Sequence, residues 1–291
     1  MQRVSAVLIT LNEELNLKRT LLQLSWCDEI IVVDSGSTDN TVQLCRNFGC
    51  KVVHRAFDGY GTQKQFAVSL SRNNWILSID ADEVLSDSLV DEIKKEMAAP
   101  RAAGYLLPMN LVFLGKEFTF GKESNRFFLR LFNKQLGNFN DRKVHEGIEL
   151  TGEKIKFKNK ILHYSYKDIS QYFKKLNTYS SFGAKLAFEK GKNKSVFNIV
   201  TTIPLNFLKF YILHGNVLNG ANGFYWSVFN TYYHLVKYLK IRELYDQHSK
   251  LVMQSNIKKE TVIILKEAAL QAQIYSMDYS EETESRKSSA V

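Results

Sequence analysis

The chain has 291 residues, of which 45% are apolar and 24% charged, and this balance predicts a globular protein rather than a disordered one. Its three cysteines, Cys27, Cys45 and Cys50, form no CxxC pair, which disfavours a disulfide framework or a zinc site and favours reduced thiols in a cytosolic compartment. The formal net charge is +9, and residues 154–194, with eleven lysines against two acids, carry an excess of the same size. A patch of this kind is typical of nucleic-acid binding, of contact with an anionic membrane, or of a solvated lysine-rich face.

Strand and helix signals alternate over the first hundred residues. Strands are predicted at residues 4–9, 29–33, 51–54 and 75–79, and helices at 13–24, from 37 to about 48, from 59 to 70 and from 86 to about 97. Ser37 is the expected N-cap of the second helix. After Arg3 the first apolar run is too short and too soon interrupted for a signal peptide. Repeated β-α units predict a mostly parallel sheet.

The pattern then changes to shorter strands, at residues 105–109, 127–132 and 156–163, which predict an antiparallel extension of the sheet with a site-bearing loop at 138–146. Residues 166 to about 277 are predicted to be helical. The last residues, 278–291, are rich in Ser and Glu and are expected to be disordered. The expected domains are therefore 1–165, 166–277 and the tail 278–291.

The stretch from 195 to 236 is dense in aromatic and aliphatic residues, and Lys209 is its only charged residue. Pro204 and several glycines and asparagines interrupt it, so no transmembrane span is predicted. The composition fits the core of a helical subdomain or helices lying in a membrane interface. The basic flanks favour the interface, and hence a peripheral association with the membrane.

Carboxylates follow the predicted strand at 75–79 without a break. Asp80 and Asp82 stand two residues apart and therefore share one side of an extended chain. Asp34 ends the strand at 29–33, so it lies at the same edge of a parallel sheet, where open α/β sheets bind ligands. Such acids suit a Mg²⁺ ion that carries substrate phosphates, with Asp82 as the direct ligand. The alternative is a solvated acidic turn before the helix at 86–97.

A glycine cradle for phosphate is missing from the sequence. Residues 10–14 (TLNEE) follow the first strand without a GxGxxG pattern, and Gly115 and Gly121 are one residue too far apart for a P-loop. A metal ion is therefore the predicted means of holding phosphate.

Three segments together resemble family 2 glycosyltransferases of the GT-A fold: residues 10–14 (TLNEE), 32–39 (VVDSGSTD) and 79–83 (IDADE). With Lys64 between two glutamines in the helix after the third strand, the chain is similar to the bacterial lipopolysaccharide-core β-glucosyltransferases of that family. The resemblance implies a GT-A fold, a mixed and mostly parallel α/β sheet with an antiparallel extension, followed by a helical, membrane-associating C-terminal region.

The resemblance also implies roles for individual residues. It places Thr10, Leu11, Glu13 and Asp34 in the nucleoside pocket and Lys64 beside the ribose or diphosphate. Asp80 and Ala81 match the ribose side of the metal motif. Asp82 matches the ligand of a Mg²⁺ or Mn²⁺ ion.

The acceptor side of the site is implied in the same way. Glu146, in the segment Val-His-Glu at 144–146, matches the general base, with Asp141 as the alternative base. His163 matches an additional metal ligand, or else a strand-end histidine bonded to backbone. Arg130 faces the acceptor or the diphosphate, or forms an ion pair at the sheet edge.

The predicted function is an inverting transfer of a sugar from a nucleotide-sugar, a UDP-hexose by the resemblance, to a lipid-linked or cell-envelope glycan such as lipopolysaccharide core. The predicted location is the cytoplasmic face of the inner membrane, with an anionic membrane surface as partner. A sugar nucleotidyltransferase and a catalytically silent membrane-bound scaffold are the alternatives. Nucleic acid is not an expected partner, because no nucleic-acid-binding module is recognised.

Overall fold

The computed structural model of the protein describes residues 1–140, 147–166, 168–193 and 195–288. Its strands are β1 (Val4–Thr10), β2 (Glu29–Asp34), β3 (Lys51–His54), β4 (Trp75–Ser78), β5 (Glu83–Leu85), β6 (Gly104–Phe113), β7 (Lys116–Glu117), β8 (Arg126–Asn133), β9 (Gly137–Phe139), β10 (Ile148–Leu150), β11 (Lys154–Lys156) and β12 (Ile161–His163). Its α-helices are α1 (Glu14–Leu24), α2 (Thr41–Asn47), α3 (Tyr60–Ser69), α4 (Asp87–Glu96), α5 (Ile169–Glu189), α6 (Val196–Leu208) and α7 (Gly220–Ser288).

In the described part of the chain, one mixed sheet carries the strand order β3-β2-β1-β4-β8-β6-β12-β5, with β7 and β11 also paired to β6. The first four strands are parallel, whereas β8 runs antiparallel to both of its neighbours, β4 and β6. Strands β9 and β10 form a separate antiparallel pair. The predicted α/β class, with a parallel half and an antiparallel extension, is confirmed.

Apolar side chains on both faces explain why the central strands form. Along β1, Leu8 packs in a cluster with Leu17 and Leu21 of α1, while its neighbour Val7 packs in a second cluster with Val68 of α3. All four residues of β4 are buried, as expected for a strand covered on both sides. Full burial of each such aliphatic side chain stabilises the fold by roughly 2 kcal/mol.

Helix α4 shows the expected start and end. The Ser86 hydroxyl accepts a hydrogen bond from the Leu89 amide at 3.2 Å, which is the N-cap geometry, and Lys94 and Lys95 lie in the last turn. The N-cap expected at Ser37 is wrong. Helix α2 begins at Thr41, because the Ser37 hydroxyl donates instead to the carboxylate of Asp34.

Two further boundaries differ from the sequence prediction. The predicted strand at 156–163 is two strands, β11 and β12, since both pair with the long strand β6 but at positions about five residues apart along it. The final helix continues past residue 277 and runs to Ser288. Strand β5 was not predicted, because its three residues follow directly from the acidic turn at 80–82.

The chain forms two compact units. One comprises Met1–Lys175 and Ile203–Tyr232, so part of the apolar C-terminal stretch packs with the sheet. The other contains Leu176–Thr202 and the chain from Tyr233 onward. Within this second unit, the Lys240 ammonium donates to the side chains of Asn177, Ser180 and Ser181. The expected domain borders at 165 and 277 stay predictions.

One helical window, Val196–Leu213, is long and apolar enough to cross a membrane, contrary to the expectation that no run in this region approaches that length. A single helix of this kind is weak evidence for a span, because the core helix of a soluble protein meets the same criterion. This window is nevertheless poorly covered: among its residues, Phe197 is 74% and Leu213 77% exposed.

Candidate active site

Asp34 lies at the carboxyl end of β2, directly beside Thr10 at the end of β1. Its carboxylate accepts hydrogen bonds from the Thr10 hydroxyl at 3.2 Å, from the amides of Gly36 and Ser37 at 2.9 Å each, and from the Ser37 hydroxyl. Burial alone would raise the pKa of Asp34, but these donors outweigh it and hold that pKa below its usual range. Asp34 is therefore a fixed anion at the sheet edge.

The loop after β1 is fastened to the loop after β2. The backbone N–H of Asn12 donates to the Ser37 hydroxyl at 2.9 Å, and the backbone N–H of Glu13 donates to the Thr41 hydroxyl at 2.8 Å. Leu11, immediately before these anchors, is 52% exposed. The residues predicted for a nucleoside pocket thus border Asp34, and Leu11 presents an apolar side chain to solvent there.

Asp80, just beyond the end of β4, contacts two cations. One carboxylate oxygen lies 2.9 Å from the Lys64 ammonium, and the other lies 2.9 Å from Nη2 of Arg130. Burial opposes ionisation, yet Lys64 and Arg130 dominate and hold the pKa of Asp80 far below its usual range. About a third of its side chain remains exposed, so the charged cluster is open to a ligand on one side.

Glu83 belongs to the same cluster of charged side chains. No role for it was predicted from the sequence. The same Arg130 nitrogen that contacts Asp80 also donates to the Glu83 carboxylate, which in turn accepts the Asp80 amide at 3.0 Å. Nearly complete burial raises the pKa of Glu83 to about 7, although the charge of Arg130 opposes this. Nε of Arg130 is buried without a hydrogen-bond partner in the described structure. Of the roles considered for Arg130, the structure shows an ion pair, and its partners are acids of the site.

Asp82 lies opposite His163. Nε2 of His163 is 3.3 Å from a carboxylate oxygen of Asp82, and the two side chains are 32% and 18% exposed. Strand β12 brings them together, because its residue His163 pairs in register with Glu83 of β5. Burial lowers the pKa of His163, but the hydrogen bond and charge of Asp82 outweigh it and raise that pKa above its usual value.

The Asp82 and His163 side chains offer one carboxylate oxygen and one imidazole nitrogen to a cation. Among the described residues, no group of three His, Cys, Asp or Glu side chains has the arrangement of a metal site. A pair of ligands suits Mg²⁺ or Mn²⁺, which take their remaining ligands from phosphate oxygens and water. The donors present therefore fit such an ion only together with a substrate diphosphate.

Ala81 positions the two aspartates through its backbone. Its carbonyl accepts the Thr20 hydroxyl at 2.8 Å, which ties the turn between β4 and β5 to helix α1. The Glu83 amide donates to the Asp80 carbonyl at 3.0 Å and closes the turn. Thr20 has no motif around it, so nothing in the sequence identified this contact.

The predicted base Glu146, its alternative Asp141 and His145 lie outside the described residues. The flanks of their segment are well defined: the Asn140 amide donates to the Gly147 carbonyl at 2.9 Å. The ring of Phe139, immediately before, lies 5.6 Å from the Lys64 ammonium. The described residues Asn140 and Gly147 are therefore bonded to each other, and Phe139 beside them lies near Lys64.

A cavity of about 200 Å³ lies beside His163. It is lined by Met109, Leu111, Glu123, Arg126, His163, Ser165, Tyr166 and Trp226. Next to the lining residue Glu123, the backbone at Gly121 lies against the backbone at His214. A Cβ added to Gly121 would come within 2.1 Å of the His214 carbonyl oxygen, and the backbone amide of Lys122 donates to that same oxygen at 2.8 Å. No local motif in the sequence marks these lining residues, which come from four separate segments of the chain.

Comparison with known proteins agrees with this arrangement of residues. Residues 5–149 match the sequence profile described as Glycosyl transferase family 2. An uncharacterized glycosyltransferase of Rickettsia typhi is 33% identical over 88% of this chain and 92% of its own length. The lipopolysaccharide core biosynthesis glycosyltransferase LpsC of Rhizobium meliloti is 30% identical over 84% of this chain and 93% of its own length.

Among solved structures, residues 1–349 of TarS from S. aureus superpose with a TM-score of 0.43 and 14% identity, over 84% of this chain and 92% of that one. The family assignment does not depend on this slight likeness. It depends on the profile match and on relatives that align along nearly their whole length, and both confirm the resemblance drawn from residues 10–14, 32–39 and 79–83. The chain belongs to glycosyltransferase family 2.

Proposed function

We propose that this glycosyltransferase moves a hexose from a UDP-sugar, with inversion, to a lipid-linked or cell-envelope glycan such as lipopolysaccharide core. The observation that carries the proposal is that Asp34, Asp80 and Asp82 lie at or just beyond the carboxyl ends of strands of one parallel sheet half, with Lys64 and Arg130 both paired to Asp80. The name of the R. meliloti relative supports lipopolysaccharide core as the acceptor class.

The donor would bind along this edge. Asp34, buried and held as an anion by its four hydrogen bonds, would fix the edge of a nucleoside pocket lined by Thr10, Leu11 and Glu13. Lys64 and Arg130 place two fixed positive charges beside Asp80, where a diphosphate acquires negative charge as the sugar departs. Preorganised charges of this kind stabilise the transition state without reorganising during the reaction.

Asp82, with His163, would hold a Mg²⁺ or Mn²⁺ ion together with the diphosphate. When bound, such an ion supplies a Lewis acid that offsets charge on the leaving group.

The reaction would be a single displacement. The acceptor hydroxyl oxygen attacks the anomeric carbon, the bond from that carbon to the diphosphate breaks, and UDP leaves with the electron pair. Glu146 accepts the hydroxyl proton as general base, a role that carboxylates commonly fill beside a reacting hydroxyl. Attack from the side opposite the diphosphate inverts the anomeric configuration.

Membrane contact would bring the enzyme to a lipid-linked acceptor. Large apolar side chains stand exposed along 196–218, among them Leu205, Leu208, Leu213 and Leu218, each more than half exposed. Several large exposed apolar side chains in one segment favour an interaction site, and eleven lysines in the sequence at 154–194 would add attraction to anionic lipid. We place the protein at the cytoplasmic face of the inner membrane as a peripheral enzyme.

A panel of UDP- and GDP-sugars, each with Mg²⁺, Mn²⁺ or EDTA, tests the proposal by release of nucleoside diphosphate upon addition of core glycolipid. Asp82→Ala should reduce the metal-stimulated rate by at least about 100-fold, as expected on loss of a direct metal ligand, whereas His163→Ala should cost about 10-fold. Asp87→Ala, at an exposed acid five residues on, is the matched control. Glu146→Gln should leave UDP binding intact and stop transfer.

Three outcomes would contradict the proposal. Release of pyrophosphate from a nucleoside triphosphate and a sugar phosphate would indicate a nucleotidyltransferase. Binding of UDP-sugar without turnover under every condition would indicate a silent scaffold. A normal rate in Asp82→Ala would remove the metal role of that residue.

A further inference from the structure

The cavity beside His163 has no role in donor binding as described above, because none of Thr10, Asp34, Lys64 or Asp80 lines it. His163 belongs to both places: its ring contacts Asp82 and also forms part of the cavity wall. We propose that this cavity binds one neutral pyranose ring of the acceptor glycan. The assignment to the acceptor rests on the proposed function, whereas sugar binding itself does not.

One side of the cavity is a fixed aromatic surface. Trp226 is 92% buried, and its ring centroid lies 5.1 Å from that of Phe113 and 6.0 Å from that of Tyr166, both at angled orientations. Met109 and Leu111 of β6 add aliphatic surface. Sugar rings present an apolar face of C–H groups, and such a face packs against a rigid aromatic wall with little loss of side-chain entropy.

The other side carries groups that hydrogen-bond hydroxyls. Glu123 and Arg126 form an ion pair at 3.7 Å, with side chains 17% and 59% exposed, so they offer an acceptor and several donors at the cavity. Ser165 also lines the cavity, with its hydroxyl 3.1 Å from Nδ1 of His163, and adds a further hydrogen-bonding group.

The volume of the cavity and the charges of its lining restrict the kind of ligand that fits it. A volume of about 200 Å³ is below the roughly 300–1,000 Å³ of pockets that enclose drug-sized molecules, so one ring fits rather than an oligosaccharide. Glu123 and Arg126 offset each other's charge, which gives no preference for a sulfated or phosphorylated sugar. The rest of the glycan would leave the cavity past Arg126, which is more exposed to solvent than Glu123.

The indole resonances of the protein provide the test. The chain has three tryptophans, so a ¹⁵N-labelled sample gives at most three indole N–H signals, and Trp226→Phe identifies one of them. The full chain with UDP and Mg²⁺ is titrated with methyl β-D-glucopyranoside, methyl α-D-mannopyranoside and methyl β-D-glucuronide. We expect the Trp226 signal to move with at least one neutral glycoside, while those of Trp26 and Trp75 stay in place.

Arg126→Gln, at an exposed site, should weaken this binding by about tenfold and keep UDP affinity unchanged. Arg72→Gln, at an arginine that is 84% exposed and paired with Glu29, is the matched control and should leave both unchanged. In transfer assays, Arg126→Gln should raise the KM for the acceptor and leave kcat and the KM for the donor unaltered.

Each other result overturns the proposal. Movement of the Trp226 signal with intact UDP-hexose but with no glycoside would assign the cavity to the donor sugar. Movement with the glucuronide alone would assign it to an anionic ligand. No movement with any sugar would show that the cavity is not a sugar site, even in an enzyme that transfers normally. The test measures binding of glycosides and not transfer. Its result can therefore be interpreted even if the protein proves not to catalyse the proposed transfer.

Discussion

The Lys64 ammonium lies 2.9 Å from the Asp80 carboxylate, with only 6% of the lysine side chain exposed. Helix α3 supplies the cation and the end of β4 supplies the anion, so the pair joins two elements at the sheet edge. A lysine this buried stays charged only beside a partner. The pair therefore keeps a positive charge ready at the place where we propose that the diphosphate binds.

Lys64→Gln should weaken UDP binding about tenfold, because one of the two fixed cations at the diphosphate is lost. It should also lower the free energy of unfolding by about 1–3 kcal/mol, since Asp80 keeps Arg130 and partial solvation. Calorimetric titration with UDP and urea unfolding measure the two effects. Lys18→Gln, at an exposed lysine on α1, is the control, and equal UDP affinity in both variants would contradict the prediction.

Arg130→Met should destabilise the protein by about 3 kcal/mol, because it leaves the buried carboxylate of Glu83 without its cation. Adding Glu83→Gln to this variant removes that charge and should restore at least about 1 kcal/mol. Urea unfolding of the two single variants and the double variant gives the coupling. Additive losses would show that the contact between these side chains contributes nothing to stability.

Stability should decline in acid partly through Glu96. Hydrogen bonds from Arg101, together with one from the Tyr105 hydroxyl at 2.9 Å, outweigh burial and lower the pKa of Glu96 below its ordinary 4.5. A lowered folded-state pKa stabilises the fold at pH values above 4.5, and this contribution is lost as pH falls through the folded-state pKa.

Glu96→Gln should accordingly reduce the free energy of unfolding by about 1–2 kcal/mol at pH 7, and this deficit should shrink as the pH is taken below 4. Urea unfolding of the variant and the wild type at both pH values measures it. A deficit that stays constant, or that grows in acid, would contradict the assigned sign.

Membrane contact should depend on the exposed leucines near the π-helical turn Lys209–Leu213. Leu205→Asp with Leu213→Asp should abolish sedimentation with vesicles of phosphatidylglycerol and phosphatidylethanolamine, because these side chains are 63% and 77% exposed. Leu15→Asp, at a leucine 59% exposed on α1, is the matched control. Binding by the wild type should weaken with salt, since lysines contribute. Unchanged sedimentation of the double variant would remove this surface from the proposal.

The parallel half of the fold follows from local pattern. The strands from Val4, Glu29, Lys51 and Trp75 were predicted within a residue of their starts, because each is a short apolar run bounded by turn residues. The same logic places Asp34, Asp80 and Asp82 at one edge of the sheet, since the carboxyl ends of the parallel strands β2, β1 and β4 lie there. These acids were identified from the sequence for that reason.

The antiparallel half was harder to predict. Strand β5 and the contact between His163 and Asp82 depend on the pairing of β12 with β5, which no periodicity in either strand encodes. The partner of Arg130 likewise depends on where β8 lies beside β4. Long-range register of this kind is decided by packing across the whole sheet, so Glu83 and Trp226 received no role from sequence alone.

The contact between Gly121 and the His214 carbonyl couples two parts of the protein mechanically. It joins the exposed apolar segment directly to the turn that carries Glu123, with no room for a side chain between them. Under the membrane contact proposed above, a bilayer that displaced His214 would also displace one wall of the cavity. Detergent-solubilised and vesicle-bound enzyme should then differ in the KM for the acceptor, while hydrolysis of the donor proceeds alike in both.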